Sequence, residues 1–132
     1  MVKKLGLGAR LFLGLLMFVF GLNGFFHFIP LPEHPDAANA FLGALANTGY
    51  FFPMMKGTEV VAGAMLLSGY FAPLGLVLLA PIIVNIFFFH VFLAPGGMAL
   101  PIVLVLLEAF LGFVVYKESF AAILSPKPAL SE

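Results

Sequence analysis

Seven polar side chains stand inside long apolar stretches of this chain, and their types are those that hold protons and hydrogen bonds. They are Asn23 and His27, Lys56 and Glu59, Asn85 and His90, and Glu108. Lys56 and Glu59 are three residues apart, which places them on one face of a helix, where each partly neutralises the other. Gly63 continues that face. An ammonium beside a carboxylate can handle protons, and the asparagine amides and imidazoles can bond the carbonyl oxygens of a small molecule. Phe25, Phe26, Phe87, Phe88 and Phe89 lie close by in sequence and could line the apolar ring of such a ligand, for which a quinone is the candidate. Haem or a metal fits less well. His27 and His90 offer two axial imidazoles, and two glutamates with two histidines are ligand types of carboxylate metal sites. The helical Glu-x-x-His spacing of di-iron bundles is absent, however, and no metal ligand set is assigned. The chain has no cysteine, which removes disulfides, thiol nucleophiles and iron–sulfur ligation. Neither a nucleophile elbow nor a glycine-rich phosphate loop is present, so no self-contained catalytic motif can be named.

The elements that must carry these groups follow from composition. Of 132 residues, 63% are hydrophobic and 9% charged, with a mean hydropathy of +1.16. A soluble domain is about 45–50% apolar and about 25% charged, so the expected solvent is lipid. About 20 mostly apolar residues cross a bilayer as a helix. Four stretches qualify: roughly Ala9–Ile29, Phe51–Tyr70, Ala72–Leu93 and Ala99–Phe120. Between them lie Pro30–Asp36, Gly69–Pro73 and Ala94–Gly97, each with breaker chemistry. Within Ala37–Tyr50, Phe41, Leu42 and Leu45 share one helical side, the pattern of a short helix lying at the interface. The expectation is one domain over residues 1–132, all-α, an integral membrane protein built as a left-handed antiparallel four-helix transmembrane bundle. Lys3, Lys4 and Arg10 followed by Ala38-Asn39-Ala40 resemble a cleaved signal peptide, but the apolar run is too long and the cleavage-like site too distant. Lys3, Lys4 and Arg10 precede the first span and Lys117 and Lys127 end or follow the last, while the loops on the other side carry no Lys or Arg. The positive-inside rule then puts both termini in the cytoplasm. A net charge of zero with no basic block argues against a nucleic-acid partner; the expected partners are the bilayer and a protein partner or further copies of the chain.

With that topology, a rise of 1.5 Å per residue places His27 and His90 roughly 3–5 Å below the outer boundary. The same rise puts Lys56, Asn23, Glu59 and Asn85 roughly 8–12 Å deep and Glu108 roughly 14 Å deep. All seven fall in the outer half. Charges near a bilayer centre cost at least about 2.5 kcal/mol, so such groups face inward and pair. Lys56, Glu59, Asn23 and Asn85 are therefore expected to converge on a polar chamber open to the outside. Glu108 has Val105 where Lys56 stands relative to Glu59. It is expected to keep its proton or to share a hydrogen bond with Asn85.

A weak internal repeat supports the depth match. Asn23–Pro32 (NGFFHFIPLP) is similar to Asn85–Pro95 (NIFFFHVFLAP), and Glu59–Gly63 (EVVAG) to Glu108–Gly112 (EAFLG). Such a parallel repeat implies a pseudo-two-fold axis along the membrane normal. Gly14, Gly21, Gly24, Gly63 and Gly112 would let helices approach closely. With these segments, and most specifically KGTEVVAG (Lys56–Gly63) and Pro81–His90, nearly the whole chain resembles the DoxX family of small four-span bacterial membrane proteins. The resemblance implies a four-helix bundle in the bacterial inner membrane. It implies function only loosely: a subunit or accessory of a membrane redox system, quinone-linked in the case that gave the family its name, or a non-enzymatic protein that helps other membrane proteins assemble. On that second reading the buried polar residues serve only to hold the bundle together.

Overall fold

The computed structural model describes residues Met1–Ser131 and is all-helical, with no strand among the described residues. Six α-helices follow in order: α1 (Val2–Phe26), α2 (Asp36–Asn47), α3 (Phe51–Ser68), α4 (Ala72–Leu93), α5 (Ala99–Phe110) and α6 (Lys117–Ile123). A 3-10 turn at Pro95–Gly97 leads into α5, and π-helical turns over Leu111–Val115 extend it. Two of these helices, α1 and α4, are long and apolar enough to cross a membrane.

The breaks have local causes. Gly69 ends α3 in the left-handed region (φ 82°), where a residue without a Cβ is unstrained, and its N–H bonds the Met65 carbonyl at 2.9 Å. Phe71, also left-handed at φ 59°, then redirects the chain, and Pro73 sits in the first turn of α4 where its missing N–H costs nothing. α4 covers Ala72–Leu93, the expected stretch. α1 instead stops at Phe26, short of Ile29, and α2 begins one residue before the expected interfacial segment. The expected fourth stretch does not run straight to Phe120. Tyr116 leaves helical geometry (φ −107°, ψ 31°), and α6 turns away by 87° from Ala99–Val115. The Tyr116 N–H reaches back five residues to Leu111 O at 2.8 Å, the bond of a π turn. Beyond it Lys117, Glu118 and Ser119 are all exposed, so the polar run leaves the apolar packing rather than extending it.

α1 packs on α3, α3 on α4, α4 on α5, and α5 returns to α1, a closed ring of four helices. The α1–α3 contact runs backbone to backbone. A Cβ at Gly63 would stand 2.6 Å from Phe18 N, one at Gly14 would stand 3.0 Å from Leu67 N, and one at Gly21 would stand 2.9 Å from Val60 N. Residue numbers fall along α3 as they rise along α1, so the two helices are antiparallel. Leu13, Met17, Leu66, Leu76, Leu79 and Leu111 are fully buried together toward the end where α1 begins. The buried polar residues, Asn23 and Glu59, lie toward the end where α1 finishes and α2 packs. The core thus has its buried polar side chains toward one end, while Lys3, Lys4 and Arg10 stand at the other.

Candidate functional site

The end with the buried polar side chains is organised around α3. Glu59 is 1% exposed, and its Oε2 lies 3.1 Å from Lys56 Nζ. The Lys56 side chain keeps 23% of its surface accessible, so the ammonium sits at the rim and the carboxylate inside. Oε2 has no hydrogen-bond partner of good alignment, so the pair is a close charge contact more than a directed bond. Gly24 of α1 makes room for the Lys56 stem: a Cβ there would collide with Lys56 Cγ and lie 2.7 Å from its Cδ. Gly21 does the same one turn earlier, against Val60 and the Lys56 carbonyl. Lysine commonly lays its methylenes along apolar surface while its ammonium seeks water, and here glycines supply the groove.

Asn23 is buried, but its amide is spent on its own chain. Nδ2 donates to Ile29 O at 3.2 Å, and Ile29 N–H donates to Asn23 Oδ1 at 2.7 Å. The two bonds fold the segment after α1 back over the helix end, which is why α1 stops at Phe26. His27, the residue at that reversal, takes a left-handed conformation (φ 53°) and is exposed. Asn85 is exposed as well. It shares its face of α4 with Pro81, Val84 and Phe88, whereas the core side of that helix is Leu76, Leu79 and Ile83. The expected convergence of four groups is therefore realised for Lys56 and Glu59 alone. Asn23 serves the helix end, and Asn85 points away from the core.

His90 is half-buried, and its Nδ1 donates to Ile86 O at 2.8 Å. Its ring meets His34 edge-on at 6.4 Å between centroids, and Phe89 meets His34 at 5.6 Å. His34 carries little signal in the sequence beyond its position within a proline-rich loop beside the ends of two helices. No group of three His, Cys, Asp or Glu residues could hold a metal ion among the described residues. Glu108 lies on α5 with its Oε2 buried and without a hydrogen-bond partner. Two open surface hollows lie elsewhere. One, of about 350 Å³, is lined by Val115–Ser119 at the α6 bend. The other, of about 440 Å³, lies between the outward side of α3 and Tyr70–Phe71. Neither is lined by any of the seven residues.

Compared with protein-family models, curated proteins and solved structures, the chain matches none of them. What stands is a class: an all-helical protein with two helices long and apolar enough to cross a membrane.

Proposed function

We propose that the chain is a DoxX-like four-pass protein of the bacterial inner membrane with both termini in the cytoplasm, acting as a subunit or accessory of a membrane redox system. Its working centre is the end of the bundle with the buried polar side chains, where Lys56, Glu59 and Glu108 meet a small hydrophobic ligand such as a quinone. The observation that carries this reading is the orphaned Oε2 of Glu108. A buried carboxyl oxygen without a partner is costly, and such a group in a membrane helix is a functional-site signal. Glu59 and Glu108 stand eight and nine residues from the first residues of α3 and α5, or about 12–14 Å along each helix. Equal depth on opposite members of the ring suits one ligand addressed by both carboxyls.

The test is extraction and mass analysis of chain purified in mild conditions, followed by a photoreactive quinone probe. Wild type should retain a quinone or be labelled by the probe, with labelling competed by unlabelled quinone and weakened in Glu108→Gln. An empty preparation, with probe labelling that neither competitor nor Glu108→Gln alters, refutes the ligand role. A second reading, an interaction protein whose polar groups serve packing, is favoured by Asn23, whose amide is wholly committed to Ile29.

A further inference from the structure

We infer that the chain forms a parallel homodimer through the outward face of α4, with Asn85 of each copy bonding Asn85 of the other. This rests on the reading that α4 lies in the bilayer, and not on any ligand. The first observation is the position of Asn85. It lies on the most apolar helix of the chain, eight residues from its C-terminal residue Leu93, about 12 Å along the axis. It is exposed, and no hydrogen bond to its side chain occurs among the described residues. Lipid tails offer an amide neither donor nor acceptor, so the group needs a polar partner from outside the chain.

The second observation is on the same face. Pro81 is exposed and inside the helix. It has no N–H to give the Val77 carbonyl, which is thereby deprived of its helical donor. Pro81, Asn85, Phe88 and Phe92 are exposed in a row with spacings of four, three and four, the repeat that a pair of left-handed crossing helices buries. Asn85 lies within that seam, where a two-fold axis brings a residue to its own copy. None of the other helices covers it: α4 meets α2, α3 and α5, and these residues remain exposed.

The occupant follows from the chemistry of the amide. It carries both donor and acceptor, so an identical amide completes it. Every copy inserts in one orientation, so a two-fold axis along the membrane normal brings Asn85 to Asn85 at equal depth with no adjustment. Such a contact is isologous, the commonest form of self-association. An unrelated partner would have to supply a hydrogen-bonding group at that depth independently.

The absence of cysteine permits a direct test in native membranes. Phe88→Cys and Phe92→Cys, each made in the otherwise unchanged full chain, should cross-link to a dimer with a lipid-soluble oxidant. Leu106→Cys, at an exposed position on α5, should not. Asn85→Leu combined with Phe88→Cys should weaken dimerisation roughly 3- to 20-fold in lipid titration, the range for one interhelical polar contact. A monomer at all lipid dilutions, equal cross-linking from Leu106→Cys, or a dimer indifferent to Asn85→Leu each overturns the proposal. Release of the chain from membranes by carbonate would instead refute the membrane reading itself.

Discussion

Gly63→Ala is the smallest substitution that tests how this bundle is held together. The added methyl would lie 2.6 Å from Phe18 N, 2.9 Å from Gly14 O and 2.9 Å from Phe18 Cα. All three are backbone atoms of α1, so no side chain can swing aside, and the helices must separate. Overpacking costs about 1–3 kcal/mol, and backbone collision puts this case at the upper end. Gly57→Ala is the internal control, because it lies on the same helix with nothing within 4 Å of its added carbon. There alanine should stabilise the helix by about 0.5–1 kcal/mol, since glycine loses more backbone freedom on folding. Gly63→Ala gains the same term, so the two variants should differ by the overpacking cost alone, about 3 kcal/mol. Thermal unfolding in bicelles, followed by circular dichroism, measures the difference as a fall in midpoint for Gly63→Ala against a rise for Gly57→Ala. If Gly63→Ala is as stable as Gly57→Ala, the α1–α3 contact is not backbone to backbone, and the slot holding Lys56 loses its basis.

Lys56→Met removes the counter-ion of a carboxylate that is 1% exposed. It should destabilise by about 3 kcal/mol, the lower end for breaking a buried pair because the lysine is partly accessible. The double variant Lys56→Met/Glu59→Gln should recover most of that loss in the same unfolding assay. Asn23→Ala deletes both bonds to Ile29; it should cost about 1–3 kcal/mol and speed amide exchange at Ile29 in a mass-spectrometric time course without changing exchange in α4. Cysteines placed at Glu33 and Gly97 should react with an impermeant maleimide in intact cells, and one at Ser131 should not. Labelling of Ser131 would reverse or break the proposed topology.

Depth along a helix and rotation about it are written differently in this sequence. Depth is legible wherever breakers punctuate apolar runs: the Gly69–Pro73 turn and the Ala94–Gly97 loop delimit α4 to the residue, because glycine and proline act through backbone geometry that neighbours cannot override. The end of α1 was not legible, since it depends on one asparagine folding six residues back onto itself. The bend after Val115 was half legible: the polar run Lys117–Ser119 marked a change, but hydropathy averaged over a window ran through it. Rotation is harder. A helix in water turns its apolar stripe inward, but α4 is apolar on all sides, and in lipid an apolar face specifies nothing. Lys56 and Glu59 could be placed correctly because they share a face of α3 with Gly63 and because charges must find one another. Asn85 could not, since a lone amide satisfies the rule of pairing equally well inside the bundle or against a neighbour. Small residues carry the missing information, as they let backbones touch. Gly14, Gly21 and Gly24 orient α1 toward α3, and Gly63 answers them. α4 has Gly75 alone, near its start, against Ala62 and Met65. That close approach marks the core-facing side of the helix only near its start, and Asn85, ten residues further on, stands on the outside.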